Sequence, residues 1–247
     1  MTRTVTDLYR YPIKSHGCES VAQVLLEAGK MLPWDRIWAV AHEKSEADGA
    51  TWVPCQNFSI GSKTAELGAI SSRLDENTSQ VTLSHPKRDD LTFSPDTEGD
   101  KLIAWTMGLV PEHRAQPARV VRARTDAFSD SDFQSVTLCN LASHRAVEDK
   151  LGHTLSRQRW RGNIWFEGET AWEEFDWLDR DVQIGEAVLR VRERTDRCLA
   201  THNNPETGQR DAHVLGTLDR FGHRDFSVRA EVIKGGCVCP GDKVTPL

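Results

Sequence analysis

Apolar and polar residues alternate over short stretches along most of the chain, the two-residue period of strands with one buried face. Thr4 to Tyr9, Val21 to Glu27 and Arg36 to His42 mix β-branched and aromatic residues with polar ones, and Gly29 and Pro33 break the chain between the last two. Gln80 to Ser84 and Asp89 to Ser94 predict a hairpin with His-Pro and Asp-Asp in the turn, and Arg119 to Arg124 predicts another strand. Short strands at this density suit a barrel or curled sheet better than a parallel βαβ array. The polar segment Glu112 to Pro117 marks a junction, so two parts are expected, residues 1–117 and 118–247.

Beyond the junction the texture changes. Ser135 to Cys139 is a compact apolar strand, and Asn140 to Leu151 reads as a helix closed by Gly152. Strands are expected at Gly162 to Phe166, Val188 to Val191 and Cys198 to Thr201. Asp211 to Gly222 predicts a helix, with Asp211 as its cap and Val214, Leu215, Leu218 and Phe221 on its apolar face. Ser227 to Ile233 and Lys243 to Thr245 are the last strands, around a turn at Gly235 and Gly236. The fold class is therefore β-rich α+β, a barrel-like N-terminal part followed by a second barrel with a few peripheral helices.

Composition narrows the function. The 247 residues carry a net charge of −6 with 28% charged residues, which argues against nucleic acid as partner. No apolar run approaches the ~20 residues of a membrane span, and the start lacks the apolar core of a secretory signal. A cytoplasmic, monomeric protein is expected. The eight tryptophans are expected mainly in the core. Six cysteines, Cys18, Cys55, Cys139, Cys198, Cys237 and Cys239, have no CxxC spacing and are expected to be reduced.

Cys198 lies before a polar turn in TDRCLATHNNPETG. A thiolate there suits zinc, copper, iron–sulfur or molybdenum. Zinc would need about four ligands, with Cys237, Cys239 and a histidine as candidates. A nucleophilic Cys198 would need His202, His213 or His223 as base. A buried structural thiol fits equally well. Lys14, Ser15, Arg36, Asp130, Ser131, Arg161 and Asn163 stand at turns and strand ends, where cations and backbone N–H groups bind phosphate if the fold gathers them.

The ordered set LYRYPIKS, DRIWAV, FSDSDFQSVTLCNLASHRAVED, RWRGNIWFEG, AWEEFDW, IGEAVLRV, RCLATHNNPETGQRD and GGCVCPGDKV resembles the MOSC-domain family. Within it the chain is most similar to the group of the mitochondrial amidoxime-reducing component and its bacterial relatives. The resemblance implies an N-terminal β-barrel domain ahead of the MOSC domain, with a pterin-bound molybdenum cofactor between them. It implies Cys198, in the segment Arg197-Cys198-x-x-Thr201, as the protein ligand to molybdenum. It implies cofactor contacts from Lys14, Ser15, Arg36, Asp130, Ser131, Arg161, Asn163, Arg197 and Thr201. The activity implied is reductive removal of oxygen from amidoximes, hydroxylamines and N-hydroxylated bases. Electrons would come from a separate flavin, haem or iron–sulfur protein, since no such motif is present. A cofactor carrier without turnover, or a sulfur carrier using a Cys198 persulfide, would use the same residues. The chain departs from the family pattern at His16-Gly17-Cys18 after the Lys-Ser pair, and at Asp132, where a small neutral residue is usual.

Overall fold

A computed structural model describes residues 3–124 and 127–247. The N-terminal part contains β1 (Thr4–Arg10), β2 (Glu19–Ser20), β3 (Val24–Leu26), β4 (Trp38–His42), β5 (Ser71–Asp75), β6 (Gln80–His85), β7 (Arg88–Phe93), α1 (Gly99–Thr106) and β8 (Pro117–Arg122). The C-terminal part adds β9 (Val136–Asn140), α2 (Leu141–Leu151), β10 (Ile164–Glu167), β11 (Asp181–Ile184), β12 (Ala187–Asp196), α3 (Val214–Asp219), β13 (Asp225–Lys234), β14 (Gly236–Val238) and β15 (Val244–Pro246).

The largest sheet runs β15-β11-β12-β13-β9-β10-β1-β2 and is antiparallel except for β9 and β10. It curls until its ends meet, because β1 also bridges the segment before β15. Thr4 pairs with Lys243, and Val5 N–H donates to Asp242 O at 2.8 Å. Closure removes the exposed edges that invite aggregation. Its interior holds Leu138, Ile164, Phe166, Leu189, Val191 and Val228, none more than 0% exposed. Burying each such side chain contributes about 1.5–3 kcal/mol. The N-terminal part packs the β5-β6-β7 sheet and the β4-β8 pair around Ile13, Trp38, Leu67, Val81, Leu83 and Phe93.

Local chemistry explains the elements that follow expectation. Every residue of β9 is buried, with sheet partners on both sides, which accounts for its unbroken apolar run. Asn140 caps α2 by accepting from Ala142 N, and Gly152 ends it at φ 84°. Trp38, Trp160 and Trp165 are fully buried, whereas Trp52 is 49% exposed.

Four expectations change. Cys198 to Thr201 is not a strand: β12 ends at Asp196, and Leu199–His202 forms one 3-10 turn with Cys198 at its N-cap. Among the described residues no strand pairs there, and Thr201 N–H and Oγ1–H both turn back to Cys198 O, at 3.1 and 3.0 Å. Asp211 does not cap a helix, because its carboxylate binds Arg159 and Asn204, and α3 is confined to six residues. The strand expected over Val21 to Glu27 shortens to β3, set by pairing with β14. The strand expected from Arg36 begins at Trp38, since Arg36 is left-handed at φ 53°. The third strand β5 and helix α1 had no expectation; Ser71–Asp75 holds Leu74 as its one buried residue.

A buried carboxylate braces α2 from the 3-10 turn Glu173–Trp177. Glu174, 0% exposed, accepts from Asn140 Nδ2 and Ser143 Oγ, both at 2.8 Å. Burial outweighs these hydrogen bonds and pushes its carboxyl up to about 7 from 4.5. The folded state thus holds this proton more tightly than the unfolded chain. The resulting stabilisation is complete below pH 4.5 and is lost as pH rises through about 7. Glu174→Gln should abolish that decline, which is on the order of 3 kcal/mol. Urea unfolding of both proteins across this window checks it; parallel pH curves would contradict it.

Candidate cofactor site

The loop between β1 and β2 begins with Tyr11, wholly buried, whose hydroxyl donates to Gly162 O at 3.0 Å. Two guanidinium groups lie against its ring: Arg161 at 4.3 Å and Arg36 at 5.0 Å from the centroid. Both arginines have left-handed backbones, at φ 51° and 53°, which turn them out of their neighbouring elements. Asp35, 0% exposed, accepts from Tyr11 N at 2.8 Å and pairs with Arg36 Nη1, while Arg36 Nη2 donates to Arg161 O at 3.0 Å. Arg36 is raised: burial works against its charge, but Asp35 and Asp130 outweigh it.

Lys14 comes from the same loop. Its ammonium is buried and donates to Phe128 O at 2.8 Å and Asp130 Oδ1 at 2.5 Å. Burial lowers Lys14, with Asp130 opposing. Burial works to raise Asp130, yet Lys14 and Arg36 prevail and hold it down at about 2, so it is ionised at neutral pH. His16 supports this loop from beneath: its Nδ1 donates to Lys14 O at 2.8 Å, and burial pulls the ring down to about 4, leaving it neutral.

From the barrel side, Arg197 precedes Cys198. Its guanidinium donates to Phe226 O, Trp160 O at 2.8 Å and Ser227 Oγ at 2.6 Å, and lies 5.7 Å from the stacked Trp160 and Phe226 rings. These bonds spend most of its donors on the protein, so Arg197 anchors the chain that presents Cys198. Cys198 itself is exposed, in extended backbone at φ −118°.

These groups surround one cavity of about 340 Å³ between the N-terminal part and the barrel. Lys14, Ser15, Arg36, Asp130, Arg161, Arg197, Cys198 and Thr201 all line it. Ser131 and Asn163 do not. The Ser131 hydroxyl donates to Phe133 O at 2.8 Å within a cluster with Ser129 and Ser135, and those two serines line the cavity instead. Asn163 is consumed by the sheet, accepting from Thr137 N at 3.1 Å and donating to Tyr9 O at 3.3 Å. Asp132 is exposed and outside the lining. Between Arg161 and Asn163 only glycine fits, because a Cβ at Gly162 would stand 2.1 Å from Cys139 Sγ.

The cavity also gathers residues the sequence had not singled out: Trp52, Cys55, Arg159, Trp160 and Arg229. A tryptophan and a cysteine in the otherwise polar run EADGATWVPCQN were a legible signal for the first two. Arg159 is 7% exposed, donates to His202 O at 3.0 Å and pairs with Asp211 at 2.6 Å. Asp35 neutralises Arg36, Asp130 Lys14, and Glu193 Arg229. Among the described residues no carboxylate pairs with Arg161 or Arg197. Arg161 Nη2 and Arg159 Nε are buried without a hydrogen-bond partner, and burial lowers Arg161. Uncompensated buried cations and orphaned donors favour an anionic ligand.

The other readings of Cys198 lose support here. No group of three His, Cys, Asp or Glu able to hold a metal occurs among the described residues, and Cys237 and Cys239 lie outside the cavity. His202, His213 and His223 do not line it either; His202 Nε2 accepts from Leu215 N at 3.1 Å. The buried Cys18 and Cys139 thiols are pushed up to about 11 and about 12 by burial and stay protonated.

Two family descriptions match the chain. Residues 125–245 match the family described as MOSC domain, and residues 2–134 match the one described as MOSC N-terminal beta barrel domain. Among solved structures, YiiM from Geobacillus stearothermophilus is 16% identical with a TM-score of 0.35, the match covering 45% of this chain and 53% of that one. The YUAD protein from Bacillus subtilis is 11% identical with a TM-score of 0.46, covering 99% of this chain and 94% of that one. No curated protein matches the chain.

Proposed function

The chain belongs to the MOSC family, a family that generally binds molybdenum cofactor, and from that premise we propose that its cavity holds a pterin molybdenum cofactor and serves reduction of N-hydroxylated substrates. The observation that carries the reading is the pairing of an exposed Cys198 thiol with the partnerless, buried Nη2 of Arg161 in one cavity.

The residues fit such a group. A soft thiolate suits molybdenum, and Arg161, Arg36 and Lys14 suit the phosphate of a pterin. Thr201, Ser129 and Ser135 supply hydroxyls, and the ionised Asp130 accepts from N–H groups of a pterin edge. The chemistry such a cofactor supplies when bound is a two-electron reduction in which an N–OH group, two electrons and two protons yield N–H and water. Asp130 is no source for those protons, since its carboxyl is held at about 2. Trp52, Met31, Pro54 and Ile60 give the cavity an apolar wall suited to an aromatic or aliphatic amidoxime. Electrons would come from a separate protein. No helix among the described residues is long and apolar enough to cross a membrane, and a cytoplasmic, monomeric protein remains part of this proposal.

Protein made in a host that supplies the cofactor should convert benzamidoxime to benzamidine with reduced viologen as electron donor. Cofactor-loaded protein that reduces no amidoxime, hydroxylamine or N-hydroxylated base would overturn the reductase reading and leave a carrier.

A further inference from the structure

A second cavity, of about 160 Å³, shares Ile60 with the first. Two loops build it. In one, Lys63 N–H and Thr64 N–H both donate to Ile60 O at 3.1 Å, a tight turn that projects Lys63. In the other, Arg114 N–H donates to Pro111 O at 2.9 Å. Lys63, His113 and Arg114 line the space together with Ser59, and no Asp or Glu does.

Its charges lack the partners found elsewhere in the molecule. Lys63, His113 and Arg114 are exposed, whereas the buried Arg10 and Arg159 meet Glu19 and Asp211. Among the described residues no side-chain hydrogen bond or ion pair engages Lys63 or Arg114. Solvent alone could satisfy two surface cations. It does not account for Ser59, which is 7% exposed and whose Oγ is buried without a partner. An unpaired buried hydroxyl costs free energy, and this one belongs to a residue lining the same cationic space. His42 is already committed, its Nε2 donating to Gln56 O at 2.8 Å and its Nδ1 accepting from Lys44 N, so the ligand's donors are Ser59, Lys63, His113 and Arg114.

We propose that this cavity is a separate binding site for a phosphate-sized oxyanion. Water occupies ~30 Å³ per molecule in the liquid, so a space of about 160 Å³ has room for a five-atom oxyanion. Lysine and arginine supply charge-assisted hydrogen bonds, and the serine hydroxyl supplies a neutral one once it turns toward the ion. The source is either free phosphate or the phosphoryl group of a larger metabolite. The site stands on its own residues and does not depend on the cofactor reading, because only Ile60 is common to both cavities.

The test is titration of the full ¹⁵N-labelled chain with inorganic phosphate and, in a second arm, with phenyl phosphate, against chloride at matched ionic strength. Saturable amide shifts are expected around Ser59, Lys63 and Arg114, separable from any at Arg161 and Cys198. Tighter binding of the first probe would identify the free ion, and of the second a phosphorylated metabolite. Lys63→Gln with Arg114→Gln should weaken binding there by at least about tenfold, and Ser59→Ala by several-fold, while shifts at Arg161 persist. No saturation at these residues, or the same response to chloride, would overturn the proposal.

Discussion

Asp35→Ala is expected to cost the protein about 3–5 kcal/mol, the penalty of leaving a buried charge without its partner. Asp35 is wholly enclosed, and it carries two obligations, the Arg36 guanidinium and the backbone N–H of Tyr11. Alanine abandons both. Arg36 would then be a cation 8% exposed with Asp130 as its nearest compensation. Because Arg36 Nη2 also holds Arg161 O, the change should reach the other side of the cavity. Urea unfolding measures the loss. The double variant Asp35→Ala with Arg36→Ala separates the causes: removing the stranded cation should recover part of the stability. A loss below about 0.5 kcal/mol for the single variant, the level of an ordinary surface substitution, would contradict the role assigned to Asp35.

Asp35 also shows where sequence reading stops. It sits in DRIWAV beside Arg36, and adjacency suggested nothing, since neighbouring residues in a strand point to opposite faces. The left-handed turn at Arg36 breaks that rule and brings the two side chains together. Tyr11 is a similar case: its position between two arginines follows from the meeting of the first loop with the turn at Arg161, some 150 residues later in the chain. Such long-range encounters leave no local mark.

What local chemistry controls was legible. The hairpin of β6 and β7, the apolar β9 and the capped helix α2 each carry their own signals in period, cap and terminator. Cys198 to Thr201 misled because Cys, Leu and Thr suit a strand, whereas pairing, not composition, decides whether one forms. For the site, resemblance placed the residues that the cavity gathers, yet Ser131 and Asn163 show its limit. Both lie in the expected loops, and both spend their polar atoms on the fold.

The second large effect falls on Cys198. Cys198→Ala should leave folding nearly unchanged, because the side chain is exposed and makes no hydrogen bond that the barrel needs. Arg197, held by Phe226, Trp160 and Ser227, keeps the neighbouring backbone in place without it. The loss should be confined to the metal. Elemental analysis of wild type and Cys198→Ala, both purified from a host that makes molybdenum cofactor, tests this most directly. Near one molybdenum per wild-type chain and almost none in the folded variant are expected. Equal molybdenum in the two proteins, or none in the wild type despite a working supply, would contradict that expectation.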